Sequence, residues 1–546
     1  MERRDFLKLS AMSAASSALY PAQAPGQTAP ATQTANKPNI IFIIADQRTY
    51  GLSKATGYPL DTSPTLDRMQ AAGMGFERNY CTMPLCVPSR ISMLTGRWPE
   101  AHHVRMNLQA KDAYFEKDVY QVAKSQSYRT ALMGKNHTYL TKNDVDAWRE
   151  YFHDGGPRET NKSEEYAKFD QWLRGLHFNV ADEPTPFPLE DQLPYRIMSD
   201  SLAFIDGSVK EYPTQPFLLQ ISIPEPHDPE QVPAPYWNMF PPESIPGRCA
   251  GPDQLDKLGF RAQWEYRMQQ DESPQTEKLW RRYLSNYMGA LRMIDDQIKR
   301  LLEHLDARGL SKNTLIVFTS DHGDSLMNYG IGHKGLDVHE TVTHVPQIWY
   351  GYGVKHTPAT ERVFTSSADL MPTWCEVMGA EIPHGVQGRS LWPLLRGESF
   401  PAEEFRSMYT GVGVGGLYYD ASDDVPLSAG QDPRGASFDE LNKVTLSGNQ
   451  KMVRMGDWKL VYDMMGYGQM YNLREDPCQL KDFFNKPAFA KEQAALLAEL
   501  AMWVIRVQDS LPTGPQNAKY KTKWPGAHNW YAPYRHGGPA PNTFVP

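Results

Sequence analysis

Residues 39–47 read NIIFIIADQ. From Ile40 to Ala45 no polar residue interrupts the run, so it lacks the alternation of a strand with one face in water. A strand covered on both faces reads this way, and such strands belong to parallel sheets flanked by helices. Phe217 to Ile223 (FLLQISI) and Thr314 to Thr319 (TLIVFT) have the same texture. Between them Tyr287, Leu291, Ile294, Ile298, Leu301 and Leu305 recur at helical spacing, and Gly309 supplies a stop. Strand, helix, strand in this order implies a right-handed crossover. The expected fold is α/β, a large doubly wound, mostly parallel sheet flanked by helices.

Beyond residue 400 the texture changes. Residues 411–435, rich in Gly and Asp, read as loops, Lys459 to Tyr462 and Gln469 to Leu473 as short strands, and Ala490 to Gln508 as a helix. This predicts a smaller C-terminal α+β subdomain. The expected organisation is a signal peptide at 1–24, a linker at 25–37, the main domain at 38–400, the subdomain at 401–515 and a wrapping tail at 516–546.

The 546 residues carry 56 basic and 64 acidic side chains, a formal charge of −8, which gives no global positive field for nucleic acid. The cysteines are Cys81, Cys86, Cys249, Cys375 and Cys478, an odd number without a C-x-x-C pair. That argues against a zinc knuckle or a disulfide framework, and the four besides Cys86 read as buried apolar residues.

Arg3 and Arg4, then Asp5-Phe6-Leu7-Lys8, a mildly apolar stretch from Leu9 to Tyr20, and Ala22-Gln23-Ala24 resemble a twin-arginine export signal with its cleavage site. Glu2 stands where such signals usually carry Ser or Thr. The stretch is too short to span a bilayer. A periplasmic or secreted protein is expected, with no membrane contact after signal removal.

Two of the apolar strands end in acid, Asp46-Gln47 and Asp321-His322. In an open α/β sheet ligands bind beyond the carboxyl ends of the strands. Two carboxylates, an amide oxygen and an imidazole there make a mainly oxygen-lined pocket for a divalent cation; a single Asp in such a place would more often cap a loop.

Cys86 to Arg97 read CVPSRISMLTGR. This resembles the signature of the formylglycine-dependent (type I) sulfatases of the alkaline-phosphatase superfamily, C-x-P-S-R-x-x-x-L-T-G-R, at every fixed position. The resemblance covers roughly residues 38 to 480 and makes 38–400 the expected catalytic domain. It implies conversion of Cys86 to formylglycine (3-oxoalanine) by a formylglycine-generating enzyme or equivalent. The hydrated aldehyde attacks sulfur, and its second hydroxyl lets sulfate be expelled where an ordinary nucleophile would stay sulfated.

The same resemblance implies roles for other residues. Asp46, Gln47, Asp321 and His322 fall where the family binds its metal, usually calcium, beside Cys86. Arg90 steadies the formylglycine and the sulfate. Gly134-Lys135-Asn136-His137 is similar to a G-K-x-H element in which Lys135 contacts sulfate oxygens and His137 is the base for sulfate release. Pro226-His227-Asp228-Pro229 is similar to P-H-x-P, whose histidine faces the leaving oxygen, and Lys334 matches a second sulfate-binding lysine. Positive groups and a cation around a sulfate in a partly dry pocket stabilise the charge that grows during transfer. His333, His339 and His344 are expected to support or pack rather than react.

Asp-Gln and Asp-His replace the Asp-Asp and Asp-Asn of many members, which makes manganese or magnesium a rival to calcium. The same pairs resemble phosphonate monoester hydrolases and phosphodiesterases of the superfamily, whereas Ser89 favours a sulfatase. The leading expectation is an exported sulfatase acting on a sulfated carbohydrate or aryl sulfate. A formylglycine-dependent phosphonate or phosphodiester hydrolase and a non-catalytic glycan-binding module are the alternatives. Arg48, Trp98, His102, His103 and Arg105, with Trp530 and Tyr531 of the tail, are candidates to contact a sugar, although ordinary loop packing explains each as well.

Overall fold

The computed structural model describes residues 37–153, 155, 163–177, 179–356, 363–425, 427 and 444–508. The stretch expected to be an export signal, most of the expected linker and the expected tail with Trp530 and Tyr531 lie outside them.

Along the chain the strands are β1 (Asn39–Ala45), β2 (Met74–Gly75), β3 (Asn79–Tyr80), β4 (Arg129–Gly134), β5 (Ala147–Glu150), β6 (Phe217–Ile223), β7 (Thr314–Thr319), β8 (Gln347–Gly351), β9 (Thr365–Ser366), β10 (Ser407–Gly415), β11 (Gly448–Met455), β12 (Trp458–Asp463) and β13 (Gly468–Asn472). The main sheet has the order β2-β8-β7-β1-β6-β4-β5. Its β7-β1-β6-β4-β5 part is parallel, and β8 and β2 close one edge antiparallel. The expected β6-helix-β7 crossover therefore skips a place, which β1 fills.

The unbroken apolar run of β1 is explained by its two faces. Ile40, Phe42 and Ile44 join a core with Met93, Leu94 and Trp374, while Ile41, Ile43 and Ala45 join one with Ile197, Ile205, Ile294 and Ile298. Successive side chains of a strand point to opposite faces, so both faces need apolar cover. The helix Trp280–Ala307 supplies part of that cover, burying Tyr287, Leu291, Ile294, Ile298, Leu301 and Leu305 as their spacing predicts.

The strand tips lie level: Ile44 of β1 pairs with Ser222 of β6 and Thr319 of β7. Residues just beyond them, Asp46-Gln47, Lys135, Pro224 to Asp228 and Asp321-His322, gather at one end of the sheet.

β10 to β13 form a separate antiparallel sheet, backed by the helix Ala490–Val507. Part of this corrects the sequence reading. Gly411 to Gly415 are not loop but the end of β10, where SMYTGVGVG lays its main chain beside β11 and needs no side chains to pair. A second correction concerns cysteine. Cys249 and Cys478 are not buried apolar residues but are joined in a disulfide across 229 residues. Linear spacing cannot reveal such a pair. Cys81, Cys86 and Cys375 are free and buried.

Candidate active site

The signature forms the helix Cys86–Thr95, with Cys86 in its first turn. Pro88 is tolerated because first-turn amides have no helical acceptor to lose. Thr95 Oγ1 donates to Ile91 O at 2.7 Å, and Gly96 ends the helix at φ 66°, with Val386 Cγ1 2.7 Å from where a Cβ would stand. Every residue of this helix is buried, so the string of fixed residues reads as a packed element as much as a chemical one.

Cys86 Sγ lies 3.1 Å from His322 Nε2, 3.7 Å from Lys135 Nζ and 3.9 Å from Asp46 Oδ1. Behind it Arg90 joins both acid-ended strands. Its Nε donates to Asp321 Oδ2 at 2.7 Å, Nη2 to Asp46 Oδ2 at 2.9 Å, and Nη1 to Ser222 Oγ at 2.7 Å. The remaining Asp321 oxygen accepts from the amides of Gln47 at 3.1 Å and His322 at 3.0 Å. Ser89 Oγ donates to Asp321 O at 2.6 Å, so the signature helix and the β7 tip are tied twice.

Asp46 Oδ2 also pairs with Lys135 Nζ. Burial alone would raise the Asp46 carboxyl, but Lys135 and Arg90 outweigh it and hold the group well below the usual carboxylate range. Burial keeps His322 below its ordinary value in spite of Asp321 and Asp46. Its Nδ1 donates to Gly323 O at 2.9 Å, which leaves the Nε2 lone pair facing the cluster. Ligand atoms of Asp46, Cys86, Asp321 and His322 lie within 4.8 Å of one another, and Gln47 follows Asp46 at φ 66°. Two carboxylates beside a neutral, oriented imidazole fit a divalent cation.

The Gly134 position shows why Lys135 needs a glycine before it. Gly134 has φ 113°, and a Cβ there would stand 1.8 Å from Ser222 O. Lys135 N then donates to the same carbonyl at 2.8 Å, which turns the lysine into the pocket. Two residues on, His137 has φ 43° and its Nδ1 has no hydrogen-bond partner. Burial, then Lys135 and Arg90, hold this imidazole well below its usual value, so it is neutral.

Lys334 Nζ donates to Gln47 Oε1 at 3.2 Å and lies 3.0 Å from His227 Nε2. His227 Nδ1 faces Asp228 Oδ1 at 2.8 Å, an oxygen shared with His333 Nδ1 at 2.8 Å. The sequence-predicted residues are thus linked by contacts around one pocket. His153, which sequence reasoning did not single out, joins them: its ring centroid lies 3.9 Å from that of His227 and 5.3 Å from that of His137. Its only sequence signal was its place just beyond the carboxyl end of β5.

The proposed sugar contacts divide. Trp98 packs on Trp503 in the core, His102 is fully buried against Ser92, and Arg48 is buried on Ser63, so packing accounts for all three. His103 is exposed and stacks on Tyr114, and Arg105 reaches Asn449 at 3.2 Å. His339 caps the short helix Glu340–Thr343, and His344 stacks between Tyr50 and Tyr80.

A family model described as Sulfatase matches residues 38–380. The chain is 26% identical over 395 residues to an arylsulfatase of Clostridium perfringens, covering 66% of this chain and 78% of that protein. It is 24% identical over 557 residues to an N-acetylglucosamine-6-O-sulfatase of Bacteroides thetaiotaomicron, covering 90% of each. Among solved structures, the phosphonate monoester hydrolase SpPMH from Silicibacter pomeroyi superposes with a TM-score of 0.68 at 21% identity, covering 87% of this chain and 96% of that one. The fold is that of the alkaline-phosphatase-like sulfatases. With the family model spanning more than half of its length, the chain belongs to the sulfatase family and is a sulfuric ester hydrolase.

Proposed function

We propose that the protein is an exported enzyme that removes sulfate from a sulfated carbohydrate, using Cys86 after its conversion to formylglycine. The observation that carries this reading is the position of Cys86: a buried residue at a helix N-terminus, ringed by Asp46, Lys135 and His322 and backed by Arg90. The converted residue would supply the nucleophile, and a divalent cation held by Asp46, Gln47, Asp321 and His322 would lower its pKa and polarise the sulfate. Calcium is the family's usual ion; the imidazole leaves manganese or magnesium in contention.

The chain's own residues divide the remaining work. Arg90 fixes the two aspartates in place. Lys135, beside Asp46 and Cys86, and Lys334, beside Gln47 and His227, offer ammonium groups where fixed positive charge acts strongly on sulfate oxygens. His227 Nδ1 donates to Asp228, so its Nε2 accepts from Lys334, and the proton for the leaving oxygen is held between Lys334 and His227. Neutral His137, with Nδ1 unpartnered, can take a proton when sulfate departs.

The carbohydrate assignment draws on the N-acetylglucosamine-6-O-sulfatase relative and on the loop that carries His103 and Arg105. That loop meets the signature helix where Asn107 Oδ1 accepts from Val87 N at 3.1 Å, one residue from Cys86. The Cys249–Cys478 disulfide supports export, because such bonds persist in oxidising compartments. A second reading, phosphonate monoester or phosphodiester hydrolysis, is favoured by Gln47 and His322. A panel of regiochemically defined sulfated saccharides, an aryl sulfate, an aryl phosphodiester and an aryl phosphonate separates the two. A sulfated saccharide should have the highest kcat/KM; faster turnover of the phosphorus esters would reverse the assignment.

A further inference from the structure

Between the helix Phe260–Glu272, the loop after Lys334 and the second sheet lies a cavity of about 520 Å³, a size typical of small-ligand sites. None of the residues around Cys86 lines it, but Leu336 and Asp337, two and three residues beyond Lys334, do. Its walls combine the rings of Tyr329, Tyr418, Tyr467 and Tyr471 with the amides of Gln450 and Gln479. Gln479 is 6% exposed, and its Nε2 has no hydrogen-bond partner; neither has Gln450 Oε1. An unmet donor and an unmet acceptor in one cavity match a pair of hydroxyls.

The charge of the lining selects against sulfate. Asp337, Asp420, Asp463 and Asp482 face one permanent cation among the described residues, Arg261. That guanidinium is already used: Nη2 pairs with Asp337 at 2.6 Å, and Nη1 donates to Thr445 O at 3.2 Å and Ser447 O at 2.9 Å. The three other aspartates leave the cavity with a negative sign, which repels an anionic group. Water serves the two amides as well as hydroxyls do, but it gains nothing from the apolar rim. In the turn between β12 and β13, Met465 is 50% and Tyr467 74% exposed, and Leu417, beside Tyr418 in the chain, is 71% exposed. Apolar side chains gathered at the mouth of a polar cavity mark a binding surface. The turn is also held ready, because Asp463 Oδ1 accepts from the amides of Met465 and Tyr467, each at 2.9 Å.

We propose that this cavity binds an unsulfated sugar unit of the carbohydrate whose sulfate is removed at Cys86. The C–H face of a sugar ring would lie on Tyr467, with its hydroxyls on Gln450 and Gln479. The site then selects chains in which a sulfated unit is accompanied by an uncharged one. The inference rests on the carbohydrate reading of the active site.

The test is calorimetric titration of the full-length protein with unsulfated tetrasaccharides of N-acetylglucosamine, galactose and mannose, and with the per-O-sulfated form of each. At least one unsulfated tetrasaccharide should bind, and about 10-fold more weakly to Tyr467→Ala, which removes an exposed ring and no core packing. The sulfated forms should show no difference between the two proteins. Failure of every unsulfated tetrasaccharide to bind, binding that Tyr467→Ala leaves unchanged, or an equal loss for the sulfated forms overturns the proposal. Binding and turnover are read separately. A phosphorus ester with the highest kcat/KM overturns the carbohydrate assignment, whereas absent binding beside efficient turnover of a sulfated saccharide overturns only the role of this cavity.

Discussion

Arg90 carries more of the site than any other single residue. One guanidinium spans Asp46, Asp321 and Ser222, which stand on three different strand ends. A lysine keeps the charge but cannot bridge two carboxylates with a planar fork. Arg90→Lys should lower kcat by about 10²–10³-fold, the loss typical of one misplaced electrostatic group, with little change in the circular dichroism spectrum. Wild-type kcat in a folded variant would remove Arg90 from the site's organisation. A second residue-scale expectation concerns His102, fully buried near Pro88 O and Ser92 Oγ. Burial pushes its pKa down to about 3, so the folded protein holds it neutral while the unfolded chain protonates it near about 6.5. Its contribution to stability is present above that value and is lost as pH falls toward 3. The loss reaches about 1.4 kcal/mol per pH unit. Thermal unfolding of wild type and His102→Gln from neutral pH to about pH 4.5 should show a shallower decline in the variant; equal slopes would contradict it.

At the scale of elements, the site is set by where strands end. Gly134 closes β4 so tightly on Ser222 that any side chain would strike a backbone carbonyl. Gly134→Ala should cost about 2–4 kcal/mol through left-handed strain and overpacking, and should displace Lys135. Gly175→Ala, at the end of the helix Glu164–Gly175 with nothing within 4 Å of its added methyl, should be close to neutral. Denaturant midpoints compare the two; similar midpoints would contradict the packing argument. This scale also explains what the sequence disclosed. The strands β1, β6 and β7 were legible because burial on both faces leaves an unbroken apolar run. The signature was legible because its residues are consecutive. The end of β10, Gly411 to Gly415, reads as loop in the sequence because glycine hides its pairing, which rests on main-chain hydrogen bonds.

For the whole molecule, the question is what fixes the second sheet to the first. Glu340, beside the β8 edge, is the joint. Its carboxyl accepts from Tyr80 Oη at 2.8 Å and pairs with Arg454 of β11 at 2.9 Å and Lys459 of β12 at 3.0 Å. Burial would raise this carboxyl, yet Lys459 and Arg454 hold it well below the ordinary range, so it is ionised. Removing one partner of a buried ion cluster leaves the others uncompensated. Glu340→Gln should lower stability by about 3–5 kcal/mol in chemical denaturation, and an unchanged midpoint would show that the apolar contacts suffice. No single stretch of sequence announces this joint, the Cys249–Cys478 bridge, or the approach of His153 to His227. Each joins residues that are distant along the chain or lack a recognisable linear pattern.

The central claim is that Cys86 becomes the reacting group. The direct measurement is the mass of the tryptic peptide Asn79–Arg90 from catalytically active protein made in a host able to convert such cysteines. The expected peptide carries an aldehyde or its hydrate at position 86, and Cys86→Ala protein, folded as the wild type, is inactive. A peptide that retains the Cys86 thiol quantitatively while the protein hydrolyses sulfate esters at full rate would contradict the claim.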